Sequence, residues 1–196
     1  AIAPLTLLDE QSPADAALTL LVNADTAMYR AKQRGKGRSE IFSEAMRTQA
    51  RDRLTLSSQL ERALAGGEMA VVYQPIVSIH TGRIVGIEAL LRWNHPQRGL
   101  ITPPAFLEVA EETGAIGPIG DWVISQAAST LRTLLDDNTL ERSVAVHVNV
   151  SPRQLSDVGF VERTTNALAG AGVDMRQLVL EFTESTALAG NPAVTR

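Results

Sequence analysis

The chain has 196 residues, 44% of them hydrophobic and 20% charged, which is the composition of a globular protein with one domain or slightly more. Its formal charge of -4 offers no bulk attraction to duplex nucleic acid or anionic lipid, and the lack of Cys excludes disulfides and thiolate metal sites. No apolar run approaches the ~18 residues of a membrane span. The start, AIAPLTLLDEQSPADAA, has neither the basic-then-apolar order of a signal peptide nor an initiator Met. The expectation is a cytoplasmic piece of a longer parent protein, with any membrane anchor of that parent lying upstream.

In chain order, residues 13–33 carry helical signals: Ser12 or Asp15 as a cap, Pro13 in the first turn, and a partial apolar stripe of Leu18, Leu21, Val22 and Met28. Gly35 and Gly37 break this pattern, and Ile41-Phe42 predict a short terminal strand. Residues 43–65 are polar with a thin apolar line of Met46, Leu56, Leu60 and Leu64, the pattern of a surface or linker helix that Gly66-Gly67 ends. The period then changes. MAVVYQPIVSI and RIVGIEALLRW are β-rich runs joined by a turn at 80–83, with Pro75 marking an edge or a bulge. TPPAFLEVAEETG reads as a helix, with Pro103 and Pro104 at its start and Gly114 after its end. GDWVISQAASTLRTLLDD is a stronger one, with Ile124, Ala127, Ala128, Leu131 and Leu135 on one face. SVAVHVNVSP is a strand. GFVERTTNALAGAG is a helix with Val161, Thr164, Thr165 and Leu168 aligned, and QLVLEFTEST is another strand. Strand, helix, strand from Ser143 onward predicts a βαβ unit with parallel strands.

The strand SVAVHVNVS alternates strictly. Val144, Val146, Val148 and Val150 point one way; Ala145, His147, Asn149 and Ser151 point the other. A parallel strand between helices is usually apolar on both faces, and polar groups near its C-terminal end sit where α/β folds bind ligands. Glu88 lies late in its own predicted strand, and Glu184 ends LVLEFTE. Three oxygen-bearing side chains, Glu88, Asn149 and Glu184, can therefore converge on one rim and suit a hard cation, Mg²⁺ or Mn²⁺. Arg92 can hold a phosphate beside it, which points to phosphodiester or phosphoryl chemistry. Each residue also has a plainer reading. Glu88 can be salt-bridged and Asn149 can cap a turn. His147 fits a hydrogen-bonded core histidine better than a ligand, and Arg92 can pair with an acid. Glu181 rivals Glu184, but a buried mid-strand acid needs a partner. Trp93 is read as packing.

Taken together the motifs are specific. From about residue 54 the chain resembles the EAL domain, the cyclic di-GMP phosphodiesterase family. The resemblance rests on YQPIV (73–77), GIEALLRW (86–93), PPAFLEVAEETG (103–114), VNVSPRQL (148–155) and LEFTES (180–185). It implies a modified (β/α)₈ barrel with its site at the C-terminal strand ends. It assigns Glu88 as the catalytic signature carboxylate and a metal ligand, Asn149 and Glu184 as further ligands of Mg²⁺ or Mn²⁺, and Arg92 and Gln74 as contacts to the dinucleotide. The implied reaction is hydrolysis of cyclic di-GMP to linear pGpG; the alternative is a non-catalytic receptor for the same ligand. The implied partners are cyclic di-GMP, a second copy in a homodimer, and an upstream sensor domain of the parent; duplex nucleic acid is not among them. Residues 24–38, ADTAMYRAKQRGKGR, resemble the end of a GGDEF (diguanylate cyclase) domain without its signature loop. The expected organisation is thus a GGDEF remnant over 1–42, a linker helix over 43–65 and a truncated EAL domain over 66–196. The family's later aspartate pair, lysine and glutamate have no counterpart, and the segment after the linker is roughly half of the ~250 residues a (β/α)₈ barrel takes. The fold class expected is α/β, an incomplete TIM-type barrel, inactive by itself.

Overall fold

The computed structural model describes residues 12–33, 35 and 37–182. The chain divides into two compact units, residues 1–58 and 59–196.

In the first unit, α1 (Pro13–Gln33) occupies the predicted span, with Ser12 Oγ accepting from the Asp15 N–H at its start. The predicted stripe is not its buried face: Leu18, Leu21, Val22 and Met28 are exposed, while Asn23 and Ala27 are buried. Ala27 clusters with Phe42 and Met46. Arg47 lies over the Phe42 ring, 5.3 Å from its centroid, and donates to Asn23 Oδ1 at 2.8 Å. A cation stacked on an aromatic and hydrogen-bonded to a buried amide organises this small core where few apolar side chains are available. The expected strand at Ile41-Phe42 is only a single-residue bridge at Ile41. α2 (Glu44–Ala63) is a helix within the predicted span 43–65, and the boundary between the units falls inside it.

The second unit is a mixed sheet with helices. β1 (Met69–Val77) and β2 (Ile84–His95) form an antiparallel hairpin. β2 pairs in parallel with β4 (Ala145–Asn149), and β4 pairs in parallel with β5 (Leu178–Glu181). β3 (Gly99–Ile101) is a three-residue return against the end of β2, too short to show a period in the sequence. The order is β1-β2-β4-β5. Pro75 lies on the edge strand next to a register shift at Ile76/Val77, the place expected for a residue with no N–H to give a ladder.

Between β2 and β4 the chain passes through a 3₁₀ turn (Pro103–Ala105), α3 (Leu107–Thr113) and α4 (Ile116–Asp136). The single predicted helix over 103–113 is therefore split at Phe106, whose side chain is buried. α4 buries Ile124, Ala127, Ala128, Leu131 and Leu135 as predicted, together with Val123 and, from the turn before the predicted start at Gly120, Ile116 and Ile119. α5 (Pro152–Leu155) and α6 (Phe160–Ala171) connect β4 to β5. Phe160, Thr164 and Leu168 form the buried side of α6, and Val161, predicted to join them, is exposed.

These helices fix which face of the sheet is which. The Tyr73 hydroxyl donates to Thr130 Oγ1 at 2.9 Å, so β1 turns Tyr73 toward α4, and burial there holds its pKa above the usual 10.0. Ala89 is its register partner, and Ile87, Ala89 and Trp93 of β2 and Val146 and Val148 of β4 are buried on that side. The residues between them in sequence point to the opposite face. Among the described residues no helix is long and apolar enough to cross a membrane.

The approach to β5 contains one acid-sensitive element. Asp174 caps the 3₁₀ turn Met175–Gln177, and its carboxylate accepts from the Arg176 guanidinium and backbone N–H, which lowers its pKa from 3.8 to about 2. A carboxylate depressed by folding adds stability that is present above its unfolded pKa and is lost as pH falls through the folded value. Between pH 4 and pH 2, unfolding titrations should therefore show a small loss of stability that D174N lacks. An identical acid limb in D174N and wild type would rule this contribution out.

Candidate functional site

The polar face opposite α4 carries the chemistry. Register places Gln74 of β1 opposite Glu88 of β2, Glu88 opposite His147 of β4, and Asn149 opposite Glu181 of β5. Paired residues share a face, so Gln74, Glu88, His147, Asn149 and Glu181 form one polar band across four strands. Two of the sequence-predicted ligands meet directly: Asn149 Nδ2 donates to Glu88 Oε1 at 2.8 Å. That contact leaves Glu88 Oε2 and Asn149 Oδ1 as further acceptors.

Asn149 is available because the turn after it is capped by another residue. Ser151 Oγ accepts from the Gln154 N–H, and Gln154 Oε1 accepts from the Ser151 N–H. This reciprocal box starts α5 with Pro152 in its first turn. It gives Ser151 the capping role that the plainer reading offered to Asn149. The backbone is also tied across the strands, with the Val150 N–H donating to Glu181 O at 2.8 Å.

Glu88 is not late in β2 as a whole, since the strand runs on to His95; it lies near the end of the part that pairs in parallel with β4, residues 86–89. Arg92 is four residues further along the same face, about 13 Å at ~3.3 Å per residue. It is half-buried and donates from Nη1 to Leu91 O at 2.7 Å. No acid is paired with it among the hydrogen bonds of the described residues, so its charge remains available to an anionic ligand. Gln74 is exposed on the edge strand.

Glu184 lies outside the described residues. Its rival Glu181 is within them, and the partner a half-buried acid requires is His147, whose Nδ1 is 2.7 Å from Glu181 Oε1. His147 is thus hydrogen-bonded as expected, but on the polar face rather than in the core. Alternation flagged His147 in the sequence; only the pairing of β4 with β5 brings Glu181 to it.

The candidate donors on this face, the Glu88 and Glu181 carboxylates and the Asn149 amide, all offer oxygen, and the chain has no Cys. That chemistry fits a hard divalent cation that keeps several waters. No cluster of three or more His, Asp or Glu able to hold a metal occurs among the described residues.

Residues 57–196 match the EAL domain. The chain is 42% identical over 169 residues to "Bifunctional diguanylate cyclase/cyclic di-GMP phosphodiesterase MucR" of Pseudomonas aeruginosa, covering 86% of this chain and 24% of that protein. It is 34% identical over 166 residues to "Cyclic di-GMP phosphodiesterase PdeR" of Escherichia coli, covering 85% of this chain and 24% of that one. The solved "PaMucR Phosphodiesterase, c-di-GMP complex" superposes with a TM-score of 0.66 at 41% identity, covering 69% of this chain and 54% of the other. The chain spans about a quarter of the length of MucR and of PdeR. A match over most of its length makes this chain a member of the EAL domain family.

Proposed function

We propose that this chain carries the N-terminal part of a metal-dependent cyclic di-GMP phosphodiesterase site, which cleaves one phosphodiester of the cyclic dinucleotide to give linear pGpG. The observation that carries this reading is the 2.8 Å contact between Glu88 and Asn149 at the end of the parallel-paired strands. The relatives named as cyclic di-GMP phosphodiesterases support the substrate.

Glu88 and Asn149 supply oxygen ligands, and a third comes from LEFTE. Glu184 is the position expected from the family pattern. Glu181 has the geometric support, because it stands opposite Asn149 on the same face. A bound Mg²⁺ or Mn²⁺ supplies Lewis acidity, activating water and neutralising charge on the phosphoryl oxygens. The residues of the chain position the substrate around it. Arg92 is held by its bond to Leu91 O and presents charge to a phosphate. Its distance from Glu88 suits an extended dianionic ligand better than one small anion. Gln74, opposite Glu88, offers an amide to the nucleotide.

The wider reading rests on the same resemblance. The mixed sheet is part of a (β/α)₈ barrel that further strands close, residues 1–42 derive from a GGDEF domain, and the gene-length protein dimerises and responds to an upstream sensor.

Calorimetry with cyclic di-GMP tests ligand and site together. Wild type should bind, and R92A should lose at least about tenfold in affinity, the ordinary value of a charge-assisted contact. Equal affinities would remove Arg92 from the site. Absence of binding by the gene-length wild-type protein would overturn the reading. Binding with no pGpG formed in Mn²⁺ would favour the receptor over the enzyme.

A further inference from the structure

His147 is neither a ligand nor a substrate contact in the proposed site, yet its surroundings are specific. Two hydrogen bonds leave β4 diagonally in opposite directions. Asn149 reaches β2 at Glu88, and His147 reaches β5 at Glu181. The imidazole also occupies a space that only glycine leaves open. A Cβ on Gly86 would lie 2.8 Å from His147 Nε2 and 3.0 Å from Cδ2. Gly86 does not have a positive φ, so its backbone conformation does not require glycine; the ring beside it does.

We propose that His147 is a positioning residue that holds Glu181 Oε1, so that the other carboxylate oxygen is presented beside Asn149 and Glu88 to the divalent cation. The inference rests on the metal reading of this site. Its physical basis is preorganisation. A half-exposed glutamate near a strand end samples several rotamers, and a ligand that must first be ordered binds more weakly. Carboxylates that ligate metals are themselves held by hydrogen bonds to residues behind them, and losing such a partner typically lowers metal affinity about 10–100-fold. The contact also sets the tautomer. An ionised carboxylate only accepts, so Nδ1 carries the proton and Nε2 faces Gly86.

Two readouts test this, the first on the 196-residue chain and the second on the gene-length protein. The first is the ring ¹⁵N spectrum of His147, measured without metal. The Nδ1–H tautomer is expected in wild type, with a shift toward Nε2–H in E181L. An Nε2–H ring in folded wild type overturns the proposal, whatever the variants do. The second is Mn²⁺ affinity. H147F keeps a ring over Gly86 but cannot donate, and should bind Mn²⁺ about 10–100-fold more weakly. H147N places an amide N–H near the Nδ1 position and should recover most of that loss. If wild type binds Mn²⁺ and H147F binds it equally well, His147 does not position Glu181 and the metal reading stands. If wild type binds no Mn²⁺, the metal reading fails and the positioning role fails with it. Should H147F not fold, the H147N affinity and the wild-type tautomer decide.

Discussion

Glu88→Gln is expected to abolish Mn²⁺ binding while leaving the thermal unfolding midpoint close to that of wild type. Gln is nearly isosteric with Glu, and its Oε1 still accepts from Asn149 Nδ2, so the contact across β2 and β4 survives. What disappears is the negative charge on a half-buried group at the centre of the polar band. Hard divalent cations take carboxylate ligands far more readily than neutral amides, and in the proposed site Asn149 is the neutral ligand. A loss greater than about 100-fold in Mn²⁺ affinity is expected, beyond the effect of losing a residue behind the ligands. In the gene-length protein, pGpG formation should fall by at least about 10²–10³-fold, since the metal contributes several kcal/mol of charge stabilisation. Calorimetric Mn²⁺ titration and a pGpG assay check this. Wild-type Mn²⁺ affinity in E88Q would remove Glu88 from the ligand set.

Trp93→Ala should produce the largest loss of stability in the EAL unit. Trp93 is fully buried on the helix-facing side of β2. Its ring meets Phe106 edge-on at 5.6 Å and His95 at 4.9 Å, and its Nε1–H donates to Glu68 Oε2 at 2.9 Å. Removing it leaves a large cavity, strips the edge contact from Phe106 and takes away the hydrogen bond that Glu68 accepts. About 3–5 kcal/mol is expected for truncating a buried aromatic of this size. The whole stability of a domain is about 5–15 kcal/mol, so part of the W93A population should be unfolded near physiological temperature. Urea unfolding followed by circular dichroism measures this. Trp93→Phe keeps most of the volume and should cost far less; equal losses in the two variants would put the effect in the Glu68 bond rather than in packing.

Residues with a repeating neighbourhood were legible in the sequence. The alternation of 144–150 placed the valines on the buried side and His147 and Asn149 on the other. The 3.6-residue pattern of 124–135 identified the buried side of α4. Both elements pack along their whole length against a continuous partner, and periodicity reports such a partner. The same reasoning failed where the partner is small or discontinuous. In α1 the apolar stripe is exposed, because the core of that unit is built from Ala27, Phe42 and Met46 with Arg47 stacked over Phe42. In α6 the buried side starts at Phe160 rather than Val161, one position round the helix. β3 and α5 were missed because three or four residues are too few for a period. α5 had a local signal all the same, in the Ser151-Pro152-Arg153-Gln154 capping box.

The sequence by itself determined the family, the strand–helix order from β4 to β5, and the identity of Glu88 and Asn149 as candidate ligands. These come from local patterns and from motifs whose spacing survives without a fold. Tertiary structure decided which of those groups meet. The 2.8 Å bond between residues 61 apart depends on β2 and β4 lying parallel with Glu88 opposite His147, so that Asn149 falls one step beyond on the same face. It also decided that Glu181 has a partner. Pairing β5 with Asn149 opposite Glu181 puts the carboxylate within reach of an imidazole 34 residues earlier, in the space left by Gly86. A one-residue slip in either register would send these side chains to the helix-packed face. That register is held by the burial of Val144, Val146 and Val148 on the other side of the same strand.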